Sequence, residues 1–151
     1  MNRSILFWIM IAFAMAGLLV SAYLTYLSLM PPTSCPVGDF GVLSCNEVIY
    51  SRYSKFFGIS VALLGLCWFI IAFGLIVLSR KNWAYVRGIV TWSLLAAVGV
   101  AGFLYTELFL IGSICILCTI AHAAGIAILL LSLFGLRYRL DLAISKHRTI
   151  C

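Results

Sequence analysis

The chain has 151 residues, 65% of them hydrophobic and only 9% charged. Soluble domains carry nearer a quarter of charged residues, so this composition excludes a soluble globular protein and indicates one domain dissolved in a bilayer. The net charge of +6 comes without an aromatic-interleaved basic patch or a phosphate-cradling glycine loop, so no nucleic-acid partner is expected.

A helix needs roughly 20 apolar residues to cross a membrane, and four runs qualify, at about 5–30, 58–79, 84–106 and 113–136. The first ends at Pro31-Pro32, where missing amide protons and ring clashes stop a helix. It is too long for a removed signal peptide and lacks the small-residue cleavage pattern. Residues 31–57 then form a loop, and Trp83, Tyr85 and Arg87 mark the leading interface of the third run. No alternating strand pattern competes, and backbone groups in hydrocarbon must be satisfied within their own segment. The expected fold is an all-α, four-transmembrane-helix bundle in a single domain over 1–151.

Basic residues give the orientation. Arg3, Arg80, Lys81, Arg87, Arg137, Arg139, Lys146 and Arg148 flank one side, leaving only Arg52 and Lys55 in the first loop. Both termini are therefore expected in the cytoplasm and the 31–57 loop outside, in periplasm, lumen or extracellular space. Within that loop, "NEVIYSRYSKFFGIS" wound at about 100° per residue puts Ile49, Tyr53, Phe56 and Phe57 on one face, with Ser51, Arg52, Ser54 and Lys55 opposite. A short interfacial half-helix covering the bundle mouth is expected.

Four of the six cysteines converge on the outward, oxidising face: Cys35 and Cys45 in the loop, Cys115 and Cys118 where the last helix begins. Cys67 lies inside the second helix and reads as a small hydrophobe, and Cys151 takes no role. The loop pair brackets a flexible, glycine-bearing segment and suits either thiol exchange with another protein or a static disulfide. The pair in "GSICILCTIAH" shares one helix face, where free N-terminal amides favour a thiolate and apolar burial opposes it. Zinc is the competing reading for the four thiols, against which stands the lack of polar supporting partners; no metal is expected. His122, one turn below Cys118, either hydrogen-bonds a carbonyl of a neighbouring helix or donates to a quinone oxygen, since a dithiol facing hydrocarbon needs an electron acceptor that lives in lipid.

The loop pair, the segment "CNEVIYSRYSKFFGISVALLG" and "ELFLIGSICILC" together resemble the vitamin K epoxide reductase family over most of residues 5–136. The resemblance implies a disulfide-forming, quinone-dependent dithiol oxidoreductase. Cys35 would exchange with a thioredoxin-like protein, Cys45 would relay to Cys115, and Cys118 would contact the quinone, of menaquinone, ubiquinone or vitamin K type. Ser51 matches the family's serine six residues after the second loop cysteine, and Phe57-Gly58 its Phe-Gly before the second helix. With His122, the residues Ile49, Ser51, Phe57 and Val61 are implied as quinone contacts. His122 stands where vertebrate enzymes have tyrosine, and the family's asparagine near Val61 is missing, so dithiol-to-quinone transfer is expected rather than epoxide reduction. The thioredoxin-like domain fused to many bacterial relatives is expected here as a separate partner. A second family of four-helix disulfide generators carries its CxxC in the first loop, the reverse of the order here. Outside both families stands a non-catalytic membrane scaffold with fixed outward disulfides.

Overall fold

Apolar runs without water nearby must close their own backbone hydrogen bonds, and helices result. The computed structural model describes residues 3–30, 44–82 and 84–148. They form helices α1 (Arg3–Leu29), α2 (Cys45–Ile49), α3 (Val61–Leu78), α4 (Ala84–Tyr105) and α5 (Ile116–Arg148). Among the described residues, four stretches are long and apolar enough to cross a membrane: Ser4–Leu29, Val61–Leu78, Ala84–Ile111 and Ile116–Tyr138. The protein is an all-α bundle of four transmembrane helices, with α2 on the connection between the first two.

Helix α1 packs along both α3 and α5, while α4 leans on α5 and meets α3 less extensively. Met10, Ala14, Phe69, Ile76, Ile89 and Ile128 make the central core. Lipid is as apolar as leucine, so close fit and interhelical hydrogen bonds hold such helices together. Gly17 supplies the fit, because the Phe69 ring fills the space a Cβ would need. Trp68 and Trp92 supply the bonds: each indole N–H donates to the other's carbonyl at 3.2 Å, with the rings 5° from parallel. At about 0.6 kcal/mol for each such bond, the pair clasps α3 to α4 where their packing is thin.

The segment after Cys45 departs from the expected amphipathic helix. Ser44 caps α2 by accepting the Glu47 N–H at 3.3 Å, but the helix stops at Ile49. Ser51 Oγ donates to the Val48 carbonyl at 2.9 Å and Ser54 Oγ to the Ser51 carbonyl at 2.8 Å. Such local bonds compete with helix propagation, and a short 3-10 turn, Arg52–Ser54, follows. Lys55 then pairs with Ser60 and Phe56 with Ile59, antiparallel. Phe57 and Gly58 at the tip have φ of 51° and 83°, the left-handed pair that a tight hairpin turn demands and a right-handed helix forbids. Tyr53, Phe56 and Phe57 therefore share no helical face with Ile49, and α3 begins at Val61, after the hairpin.

Two further devices position the site. The Tyr50 hydroxyl lies 2.9 Å from the Leu27 carbonyl, which also accepts the Met30 N–H, and 2.6 Å from the Met30 carbonyl; both lie at the helix end, where carbonyls lose their regular partners, so the end of α2 is tied to α1. Past Tyr105 the chain widens into a π-helical turn, Thr106–Ile111, which ends at Gly112 with φ of 73° and its N–H on the Glu107 carbonyl at 2.9 Å. That left-handed residue turns the chain through 113–115 into α5, which starts at Ile116.

A thiol cluster beside an apolar cavity

A helix leaves its first amides without internal partners, and at α5 those amides face sulfur. The Cys115 carbonyl accepts the first helical bond, from the Thr119 N–H at 2.9 Å, which makes Cys115 the capping residue. Its Sγ accepts the Cys118 N–H at 3.3 Å, the role that a serine or aspartate oxygen usually fills. The same end of α5 also receives the buried Cys45. Cys45 Sγ in turn lies 3.1 Å from Cys115 Sγ, about 1 Å beyond disulfide length. Residues 70 apart in sequence thus share one helix terminus.

Packing makes this close approach. Cys45, Val48 and Ile49 are buried with Leu24, Leu27 and Cys115 in a second apolar cluster. Ser113, itself buried, donates its hydroxyl to the Glu47 carboxylate and so joins α2 to the chain just before Cys115. The helix terminus favours a thiolate, yet burial opposes it more strongly. Burial, followed by the hydrogen bond with Cys115, pushes the Cys45 thiol above the ordinary cysteine range. The hydrogen bond with the Cys118 thiol, then burial, raises the Cys115 thiol well above its usual value.

A raised thiol value means less thiolate at neutral pH, and hence slower alkylation. In peptide-mapped iodoacetamide labelling, Cys45 is expected to reach half its limiting rate at a pH above the ordinary cysteine value of about 8.5, where an exposed thiol is half ionised. A midpoint at or below that value would refute the shift.

Beside the thiols lies a cavity of about 520 Å³, walled by α1, α3, α4, α5 and the segment after Cys45. Its lining is largely apolar, and Cys118 and His122 both face it. His122 Nδ1 is buried without a hydrogen-bond partner among the described residues, and its ring meets Phe103 edge-on at 5.4 Å between centroids. Of the other expected contacts, Ile49 and Val61 line the cavity. Ser51 and Phe57 do not, which corrects the expectation for both. The Ser51 hydroxyl is spent on the Val48 carbonyl, and Phe57 at the hairpin tip is 91% exposed. Phe56, Tyr53 and Trp68 take places there that the helical-face reading had not assigned as contacts. Cys35 falls outside the described residues, and Cys67 is exposed on α3.

An apolar slot with one thiol and one unpartnered imidazole nitrogen in its wall fits a flat, lipid-soluble quinone: the ring needs apolar contact and its oxygens need a donor. Among the described residues, no group of three or more His, Cys, Asp or Glu side chains is placed to hold a metal ion. Glu107 went unassigned in the sequence reading. It is fully buried beside the site, and the signal was present: it is the only charged residue between Arg87 and Arg137.

In comparison with known proteins, residues 8–133 match the Vitamin K epoxide reductase family. No curated protein matches the chain.

Proposed function

The chain belongs to the vitamin K epoxide reductase family, whose members are membrane thiol:quinone oxidoreductases, and from that premise we propose the following electron route. A thioredoxin-like protein reduces the Cys35–Cys45 disulfide from the outer face of the membrane, so that partner proteins leave oxidised and can form disulfides in exported chains. Cys45 then attacks Cys115, the Cys115–Cys118 bond breaks, and Cys118 leaves with the electron pair; Cys35 next displaces Cys115 from Cys45, which restores the loop disulfide and leaves Cys115 and Cys118 as a dithiol whose re-oxidation to a disulfide delivers two electrons and two protons. A bound quinone supplies the terminal two-electron, two-proton acceptor. Cys118 faces it from the cavity wall, His122 offers a hydrogen bond to one of its oxygens, and Ile49 and Val61 hold the ring and exclude water. Orientation follows the basic residues, with both termini in the cytoplasm.

The observation that carries this reading is the 3.1 Å approach of Cys45 to Cys115 with Cys118 on the cavity wall. A static scaffold has no need for a third thiol facing an apolar cavity. The test is direct: purified, fully reduced protein is mixed with a short-chain quinone while quinone absorbance and free thiols are followed. Quinol formation matched by loss of thiol pairs is the expected result. Unchanged absorbance and thiol count would return the chain to the scaffold class.

A further inference from the structure

At the end of the bundle opposite the thiols, a second cavity of about 400 Å³ lies between α1, α3, α4 and α5. Small-molecule sites span about 300–1,000 Å³, so it is large enough to hold a ligand. Its wall is divided by chemistry. Ser4, Ser79 and Arg80 line it where the first span begins and just past the end of the second, at the polar boundary of the bilayer. Met10 and Ile89 of the central core line it further in. The Arg80 guanidinium is held across the cavity, its Cζ 4.6 Å from the centroid of the Phe7 ring, in a cation–π contact that joins the end of α3 to the first turns of α1. The Ser79 hydroxyl donates to the Ile76 carbonyl at 2.6 Å and the buried Ser132 hydroxyl to that of Leu129 at 2.8 Å. Arg80 is therefore the main donor in the wall.

The surroundings favour an anion. Of the carboxylates whose side chains are described, Glu47 and Glu107, both belong to the thiol end, so neither neutralises Arg80. Lys81, Arg87 and Arg137 are exposed at the same end as Arg80 and add to its positive potential. Helices α1 and α4 run inward from here, which brings the positive ends of two helix dipoles to this boundary. The opposing carbonyls at the end of α3, Leu75 to Leu78, are already taken by the amides of Ser79, Arg80, Lys81 and Asn82. We propose that this cavity is a binding site for an anionic phospholipid, with its phosphate on the Arg80 fork and an acyl chain entering past Met10 and Ile89. A guanidinium matches phosphate oxygens in pairs, and basic pockets between spanning helices suit such head groups. A zwitterionic lipid carries the same phosphate, but its cation would meet Arg80, Lys81 and Arg87. Inorganic phosphate would leave the apolar part of the cavity unused. Because all four spanning helices line it, the bound lipid ties the bundle together at the end remote from the thiols. The site is independent of the electron route above.

The experiment is native mass spectrometry of the full-length protein, titrated in detergent with phosphatidylglycerol, phosphatidylcholine or inorganic phosphate. Wild type is expected to retain phosphatidylglycerol, to bind phosphatidylcholine at least about tenfold more weakly, and to keep the bound lipid when inorganic phosphate is added in excess. Arg80→Ala is expected to weaken phosphatidylglycerol binding about tenfold, the loss of one charge-assisted pair. Lys81→Ala removes a neighbouring cation that does not line the cavity, and should stay within about twofold of wild type. Thermal melting of wild type needs no variant: phosphatidylglycerol should raise the melting temperature in proportion to its occupancy, while phosphatidylcholine and inorganic phosphate should not. Equal losses in Arg80→Ala and Lys81→Ala would reduce the effect to diffuse surface charge and overturn the site. Equal binding of the two lipids, displacement by inorganic phosphate, or melting that ignores phosphatidylglycerol would overturn the assignment of its occupant.

Discussion

In Cys118→Ala, quinone reduction is expected to fall by at least about a thousandfold, while a disulfide between Cys45 and Cys115 accumulates. Cys118 is the thiol of the pair that lines the cavity, so its removal takes away the only described sulfur in position to deliver electrons there. The other half of the chemistry stays intact. Cys115, now with no neighbour to resolve it, attacks the loop disulfide at Cys45 and releases Cys35. The two sulfurs already stand 3.1 Å apart, so bond formation asks for about 1 Å of closure and no refolding. Peptide mapping under non-reducing conditions reads the crosslink, and quinone absorbance reads the turnover. Undiminished turnover would remove Cys118 from the route, and an absent crosslink would remove the Cys45–Cys115 relay.

Gly99→Leu is expected to weaken quinone binding by roughly ten- to hundredfold while leaving the fold and the thiol count unchanged. Gly99 sits inside α4 and lines the cavity, and a Cβ built there meets nothing within 4 Å. The larger side chain therefore enters the cavity rather than a packed interface. Overfilling a site costs about 1–3 kcal/mol, which at about 1.4 kcal/mol per factor of ten gives the stated loss. Helix propensity moves the other way, since leucine in a helix interior is better than glycine by about 0.8 kcal/mol, so the variant should melt no lower than wild type. Gly74→Leu is the control. It makes the same change on α3, also in open space, at a position that does not line the cavity. A quinone KM that rises equally in both variants, or in neither, would place quinone elsewhere.

Both expectations start from residues visible in the sequence, yet the site was only partly legible there. Family and fold class could be read directly, because long apolar runs, a charge distribution and a CxxC with its flanking segment are local features. The half-helix was legible as a start and not as an end. Ser44 and Glu47 mark the cap, but a 100° periodicity continued through Ser51, Ser54 and Phe57-Gly58, where side-chain hydrogen bonds and positive φ terminate it. Ser51 and Phe57 were implied as contacts by the resemblance instead, and the same hydrogen bond and hairpin turn keep them off the cavity lining. Glu107 was missed for a different reason: the third run was ended at about 106 and the fourth begun at about 113, and the charge just past the third was given no role.

By itself the sequence determined how many times the chain crosses the membrane, which family it belongs to, and that it carries a CxxC at the start of its last span. These follow from hydropathy and spacing, which act over a few turns of chain. Only the tertiary structure decided that Cys45 meets Cys115, that the Cys118 amide is capped by the Cys115 sulfur, that Cys118 and His122 face one cavity, and that Glu107 is fully buried. Each of these depends on where α2 and the turn before Cys115 come to rest. Their resting place is set by Tyr50 on the end of α1, Ser113 on Glu47 and the left-handed Gly112. The two hydrogen-bonded contacts join residues far apart in the chain, and no local pattern encodes which partner each will find.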